Sequence, residues 1–165
     1  MSVEQMLSQD FGTLAEVIGE QAKERPDKPA LVDARSTMTY GQLDAFMDRM
    51  ATALQREGVE NTGVAAVCAT SSVEYGAAFF GILRAGAAVA PLAPSSTPES
   101  LVGMLNDCGA KVFFLDKGVS DALAGVAGEI TAQRVALDGS DAGIPLAEWL
   151  APEGSKPRPV TVTPR

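Results

Sequence analysis

Apolar residues recur along much of this chain at the three- and four-residue spacing of a helix that packs one face against a core. The clearest such stripe consists of Leu43, Phe46, Met47, Met50, Ala51 and Leu54. A hydroxyl residue with Glu or Gln three positions later, the pattern of a capping box, precedes several of these stretches. Thr13 and Thr39 therefore predict helix starts, and Pro26 and Gly58 predict where those helices end.

Short continuous apolar runs separate the helices in the middle of the chain. The runs at 64–68, 87–90 and 112–115 are typical of strands buried on both faces of a parallel sheet. Between them we predict one helix capped by Ser71–Glu74 and ended by Gly86, and a second that begins at Thr97. Alternation of strands and helices implies parallel pairing through right-handed crossovers.

The flanking regions carry weaker patterns. Residues 30–32 and 37–39 predict a small hairpin, and residues 119–130, 134–137 and 146–150 predict a short helix, a strand and a helical turn. From Ala151 onward four prolines indicate an extended linker. We therefore expect an α/β fold, a partly parallel, doubly wound βαβ sheet with flanking helices. Residues 1–150 form the α/β subdomain and 151–165 a Pro-rich linker.

Charge and hydropathy exclude some classes of partner. The chain has 21 acidic and 13 basic residues and a net charge of −8, without the basic cluster that a nucleic-acid binder needs. Residues 1–10 lack the basic and apolar regions of a signal peptide. No apolar stretch reaches the roughly 18 to 20 residues that span a bilayer. We expect a cytoplasmic protein with no membrane span.

Few residue types that carry chemistry are present. The chain has no histidine, which excludes Ser-His-Asp and Cys-His arrangements and every His-containing metal site. Glycine-rich phosphate loops and paired Cys-x-x-Cys motifs are also missing from the sequence. Cys68 and Cys108 lie in apolar surroundings and are predicted to be buried free thiols, with a disulfide or ligand role as the alternative.

The carboxylates are scattered along the chain. Asp44 and Asp48 are predicted to lie on a solvated, ion-paired outer face of the long helix, near Arg49 and Arg56. We do not expect two acids to meet in one pocket. No catalytic and no metal-binding residues are predicted.

Two stretches in order resemble motifs of the adenylate-forming family, which includes acyl-CoA synthetases, peptide-synthetase adenylation domains and luciferases. Met38 to Leu43 resembles its Leu/Met-Thr-Tyr-x-Glu-Leu motif, and Ile82 to Leu92 resembles its Leu-Lys-Ala-Gly-Ala motif. Pro98 to Lys111 also fits the family pattern, and the resemblance covers about residues 12–116. Taken alone, the same motifs are explained as a helix cap and a helix end.

The resemblance implies the first part of the large N-terminal domain of the adenylate-forming fold. It also implies a parent enzyme that uses ATP, Mg²⁺ and coenzyme A to activate a fatty or aromatic carboxylic acid through an acyl-adenylate. The family's phosphate loop lies later, so we expect an inactive fragment that binds none of these cofactors alone. Its partners would be the carboxylic acid and the remainder of its own chain, with Arg165 a cleavage point.

The sequence departs from the family pattern at two turns. Ala93, Pro94 and Ser95 stand where some members carry a basic residue that approaches coenzyme A, and these three are the candidates for a coenzyme A contact. Thr62 and Gly63 replace a charged pair before the first buried strand. The alternative function is a stand-alone, non-catalytic α/β interaction module derived from such a ligase.

Overall fold

The computed structural model describes residues 1–163, which form a five-stranded sheet, a two-stranded sheet and flanking helices. The helices are α1 Val3–Leu7, α2 Leu14–Glu24, α3 Tyr40–Arg56, α4 Val73–Arg84, α5 Pro98–Cys108, α6 Lys117–Ala122 and α7 Leu146–Trp149. The strands are β1 Pro29–Val32, β2 Thr37–Thr39, β3 Val64–Cys68, β4 Ala88–Pro91, β5 Val112–Leu115, β6 Gln133–Ala136 and β7 Ile144–Pro145.

The larger sheet has the strand order β4-β3-β5-β6-β7, and all four of its neighbouring pairs are parallel. In the central strand β3, Ala66 is in register with Ala90 of β4 and with Phe113 of β5. The chain moves from β3 outward to β4, then crosses back to β5 on the other side of β3. The predicted doubly wound parallel sheet is confirmed, with its point of reversal between β3 and β5.

Alternate residues of the strands enter two separate cores. Ala65, Val67 and Phe114 face the layer that contains α3, α4 and α7. Ala66 and Phe113 face the layer that contains α5 and α6. Because both faces of the central strands are covered, their residues are apolar without interruption, which explains the runs in the sequence.

Helices α3 and α4 approach closely over the sheet because Gly81 has no side chain. A Cβ atom there would come within 2.6 Å of Met50 Cβ. On the far side of these helices a third cluster joins Leu43, Met47 and Ala77 to Ile18 of α2. The β1–β2 hairpin packs against the same cluster.

The predicted helix ends are confirmed at most positions. Thr13 and Thr39 form complete capping boxes, and Gly109 ends α5 with the left-handed φ of 64° that favours glycine. The predicted box Ser71–Glu74 is wrong by one residue, because Ser72 caps α4 and accepts the N–H of Tyr75. Two hydroxyls in sequence offered alternative caps, and the backbone uses the second.

The structure adds elements at both ends of the chain. Ser2 caps the short helix α1, which the sequence pattern did not predict. The predicted helix at 119–130 is instead α6 followed by a 3-10 turn at Ala127–Glu129, and strand β7 was also missed. Residues 151–163 contain no helix or strand. The expectation for Arg165 lies outside the described residues.

None of the helices within residues 1–163 is both long enough and apolar enough to cross a membrane.

Candidate functional site

Loops that follow three neighbouring strands meet at the carboxyl edge of the sheet. Thr70 follows β3, Asp116 follows β5 and Asp138 follows β6. An open cavity of about 710 Å³ lies at this edge, and Arg35 of the hairpin and Glu74 of α4 complete its wall. Ligands of doubly wound sheets bind outside the carboxyl ends of the strands, where the strand order reverses. This cavity is therefore the candidate functional site.

The expectation that two acids do not meet in one pocket is wrong. Asp116, Asp138 and Glu74 all line this cavity. The signal was present in the sequence, because Asp116 and Asp138 each follow an apolar run directly. Parallel pairing of β5 with β6 places the ends of those runs side by side.

Asp116 is fully engaged by backbone groups. Its Oδ2 accepts the N–H of Thr70 at 2.7 Å, and its Oδ1 accepts the N–H of Val119 at 2.9 Å. The second contact makes Asp116 the N-terminal cap of α6, and the first ties that helix to the loop after β3. The carboxylate thus fixes the shape of the cavity wall.

Asp138 has the same kind of role one strand further along. Its Oδ2 accepts the N–H of Lys117 at 2.9 Å, and its Oδ1 accepts the Ser140 hydroxyl at 2.6 Å. Burial by itself would raise the pKa of Asp138, but the hydrogen bonds from Ser140 and from the Lys117 N–H outweigh it and lower the pKa. The carboxylate therefore stays charged and holds its loop.

Asp33 joins the hairpin to the start of α4 beside the cavity. Its Oδ2 accepts the N–H of Val73 at 2.9 Å, and its Oδ1 accepts the N–H groups of Arg35 at 2.7 Å and Ser36 at 2.8 Å. The bond from Val73, followed by those from Arg35 and Ser36, lowers the pKa of Asp33 to about 2. This ionised side chain orients the segment that carries Arg35.

These contacts leave the cavity wall with positioned charges and without an activated nucleophile among the described residues. Cys68, at the end of β3, is a free buried thiol, and burial followed by the charge of Asp116 raises its pKa to about 11. The thiolate that would react is therefore scarce at neutral pH. Cys108 is also free but only half-buried. Across residues 1–163 no group of three Cys, Asp or Glu side chains is arranged to hold a metal ion.

The three candidates for a coenzyme A contact lie at the outer edge of the sheet. Ala93, Pro94 and Ser95 are exposed in the loop after β4, where the N–H of Ser96 donates to the Ala93 carbonyl at 3.0 Å. They do not line the cavity that Thr70 and Asp116 line. Their contact with coenzyme A stays a prediction.

A second charged cluster lies on the opposite side of α3 from the sheet, and it corrects the interpretation of Asp44 and Asp48. Arg84, at the end of α4, reaches Asp44 Oδ1 at 2.7 Å and Asp48 Oδ1 at 2.9 Å. The same guanidinium donates to the Ala15 carbonyl at 3.0 Å. Asp48 is 7% exposed, so the predicted solvated face is wrong at this residue.

The two arginines predicted to neutralise that face have other contacts. Arg49 donates from Nε to the Ala151 carbonyl at 2.8 Å. Arg56 donates to the Trp149 carbonyl at 2.8 Å and pairs with Glu57 at 3.0 Å. The sequence pattern missed Arg84 as the partner because it lies on another helix.

Comparison with solved structures identifies the fold. The chain superposes on a long-chain-fatty-acid-CoA ligase from Archaeoglobus fulgidus with a TM-score of 0.76 and 20% identity, over 89% of this chain and 31% of that one. It superposes on a benzoate CoA ligase from Burkholderia xenovorans LB400 with a TM-score of 0.74 and 22% identity, over 88% and 30%. At this identity the match shows a shared fold.

Comparison of sequences adds relatives of another kind. Surfactin synthase subunit 1 of Bacillus subtilis is 32% identical over 128 residues, which is 78% of this chain and 3% of that protein. Bacitracin synthase 1 of Bacillus licheniformis is 33% identical over 127 residues, or 77% and 2%. The chain thus spans a small part of the curated relatives that it matches. The profile of the AMP-binding enzyme family matches residues 18–164, and the chain belongs to that family.

Proposed function

We propose that this chain is the first part of the N-terminal domain of an ATP-dependent, AMP-forming ligase. The observation that carries the proposal is the family match over residues 18–164 together with a cavity at the carboxyl edge of a doubly wound sheet. Residues 1–150 would be the α/β subdomain of that domain. Residues 151–165 would be the linker to its phosphate-binding loop.

The proposed reaction has two steps. A carboxylate attacks the α-phosphorus of Mg-ATP to give an acyl-adenylate and pyrophosphate, and a thiol then displaces AMP. Catalysis of phosphoryl chemistry depends on positioning and charge neutralisation. Asp33, Asp116 and Asp138 contribute to the first of these, since each holds a cavity loop through backbone N–H groups. The groups that neutralise charge would follow this chain in sequence.

Two thiols are candidates for the second step. The fold of CoA ligases supports coenzyme A as acceptor and a fatty or aromatic acid as substrate. In that case Ala93, Pro94 and Ser95 would lie on the coenzyme A side. The relatives among peptide synthases support a carrier-protein thiol instead. Either acceptor leaves the first step unchanged. We place the enzyme in the cytoplasm.

Acid-dependent exchange of pyrophosphate into ATP tests the proposal. The assay compares the 165-residue chain with the polypeptide encoded when the gene is read past Arg165, over a panel of fatty, aromatic and amino acids. We expect exchange only from the longer polypeptide. Exchange by the chain alone would overturn the prediction that it is an inactive fragment. A longer polypeptide without exchange would overturn the ligase and favour a non-catalytic module.

The thiol acceptor is decided by a second assay. Free coenzyme A and a phosphopantetheinylated carrier protein are offered separately after the adenylate has formed, and the thioester is detected by mass. We expect acyl-CoA as the product. Transfer to the carrier protein alone would replace coenzyme A in the proposal.

A further inference from the structure

Two polar side chains are buried in the described part of the chain, and both belong to α3. Asp48 and Gln55 are each 7% exposed and lie about two helical turns apart, so they share one face of the helix. Buried polar groups need hydrogen-bond partners. For both residues a partner comes from the last segment of the chain, residues 151–163, which we name the C-terminal strap.

The side-chain amide of Gln55 forms the same pair of hydrogen bonds with the strap backbone that a neighbouring β-strand would form. Its Oε1 accepts the N–H of Arg158 at 2.8 Å, and its Nε2 donates to the carbonyl of the same residue at 3.0 Å. Pro157 and Pro159 flank Arg158 and have no N–H, so Arg158 provides the one backbone donor of this tripeptide. The side-chain amide therefore specifies a single register of the strap.

Asp48 holds the strap two residues earlier. Its Oδ2 lies 2.5 Å from Lys156 Nζ, while its Oδ1 is engaged by Arg84. The bond to Asp48 raises the pKa of Lys156, so the ammonium stays charged at neutral pH. Arg84 belongs to the stretch Ile82 to Leu92, and the cluster thus connects that stretch to the strap.

The strap makes a further contact where it leaves the cluster. Val160 lies against Gly86, and a Cβ atom at Gly86 would come within 3.3 Å of Val160 Cβ. Gly86 also has a φ of 74°, a left-handed conformation in which other residues are strained. Glycine at this position is therefore needed for the turn after α4 and for the path of the strap.

We infer that Asp48 and Gln55 are positioning residues that hold the strap in one register and so set where the chain leaves this subdomain. A link of this kind would fix the position of the segment after Thr163 relative to α3 and α4. The tether itself does not depend on the proposed function. Its effect on ATP does, because it requires that the segment after the strap binds the phosphates of ATP. Asp48 and Gln55 would then affect ATP binding without contacting ATP.

Amide exchange of Arg158 tests the tether in the 165-residue chain. In Gln55→Ala we expect the exchange of this amide, followed by NMR, to rise about tenfold, because its acceptor is lost. Amides of β5 should exchange at the wild-type rate. Gln21→Ala is the matched control, since Gln21 lies on α2 and its Oε1 accepts no hydrogen bond among residues 1–163. An Arg158 amide that exchanges equally in wild type and Gln55→Ala would overturn the tether.

Lys156→Met, a substitution on the strap, provides a second test in case Gln55→Ala does not fold. The Lys156 side chain is 74% exposed, so Lys156→Met does not disturb the core. We expect faster Arg158 exchange in Lys156→Met as well, by a smaller factor. Unchanged exchange in this variant would overturn the role of Asp48.

The effect on the reaction is measured in the longer polypeptide. We expect Gln55→Ala to raise the KM for ATP about tenfold, as loss of roughly 1.4 kcal/mol of positioning would do, and to leave the KM for the carboxylic acid unchanged. A variant that is only destabilised would contain less active enzyme, but its KM values for ATP and for the carboxylic acid would both be unchanged. Equal KM values for ATP in wild type and variant would overturn the positioning role. If the wild type has no exchange activity, the proposed function fails, and Arg158 exchange still decides the tether.

Discussion

The carboxyl edge of the sheet and the charged cluster beside α3 use carboxylates in different ways. At the edge, Asp33, Asp116 and Asp138 accept hydrogen bonds from backbone N–H groups that lie 40, 46 and 21 residues away in sequence. In the cluster, Asp48 is buried and bonds to Arg84 and Lys156, which are 36 and 108 residues away in sequence. The edge is thus held by hydrogen bonds from backbone groups to carboxylates, whereas the cluster is a set of ion pairs around one buried carboxylate.

This difference predicts unequal responses to substitution. Asp33 and Asp116 are half-buried and Asp138 is exposed, so water can replace the hydrogen bonds of these acids, and each contributes little beyond those bonds. A buried acid whose partner is removed is left as an uncompensated charge, and the loss is larger. The cluster should therefore be the more sensitive region for stability, and the edge the more sensitive region for ligand binding.

Arg84→Met should give the largest effect on stability. Removal of the guanidinium leaves Asp48 buried with Lys156 alone, and we expect the free energy of unfolding to fall by about 3 kcal/mol. The measurement is urea unfolding followed by circular dichroism. Lys117→Met is the control at the edge, because Lys117 forms exposed ion pairs with Asp121 and Asp141. There we expect a change below about 1 kcal/mol. Equal losses in the two variants would contradict the comparison.

Asp116→Ala should give an intermediate loss. The substitution removes the cap of α6 and the acceptor for the Thr70 N–H, and we expect the free energy of unfolding to fall by about 1 to 2 kcal/mol. Asp116→Asn retains one carbonyl oxygen and should lose about half as much on the same reasoning. Urea unfolding of both variants checks the order. Equal losses in the two variants would show that the charge, and not the hydrogen bonds that Asn can keep, is what matters.

Asp33 should give the smallest effect, and only in acid. Its pKa is lowered to about 2 by the Val73 N–H and then by those of Arg35 and Ser36, from an ordinary value of 3.8. A lowered pKa contributes stability that is present above the unfolded value, and that stability is lost as the pH falls through the folded value. An NMR titration of the Asp33 carboxyl carbon should therefore have its midpoint near 2. A midpoint near 3.8 would mean that Asp33 does not accept the hydrogen bonds from the N–H groups of Val73, Arg35 and Ser36.

The sequence predicted the order of the elements because each was specified locally. Thr39 with Gln42 marks a helix start, and an unbroken apolar run such as Val64–Cys68 marks a strand covered on both faces. Local signals also explain the errors, since adjacent Ser71 and Ser72 offer two caps for α4. The fold class therefore followed from periodicity and caps.

The contents of the two polar regions could not be predicted in the same way. Asp48 occupies the polar side of an amphipathic helix, where exposure is the usual outcome, and its burial depends on Arg84 and Lys156. Gln55 likewise depends on Arg158, 103 residues later. Periodicity within one helix contains no information about such partners. The acids at the carboxyl edge were accessible to prediction, because they follow the strands directly.

Pyrophosphate exchange by a variant with a filled cavity tests most directly whether the carboxyl edge is the functional site. Thr70 is exposed and lines the cavity, so Thr70→Trp places a large side chain there while the Thr70 N–H remains available to Asp116. Glu99→Trp, at an exposed position on α5, is the matched control. In the longer polypeptide we expect Thr70→Trp to abolish acid-dependent exchange with an unchanged unfolding midpoint, and Glu99→Trp to retain it. Full exchange activity in Thr70→Trp would contradict the assignment of the cavity.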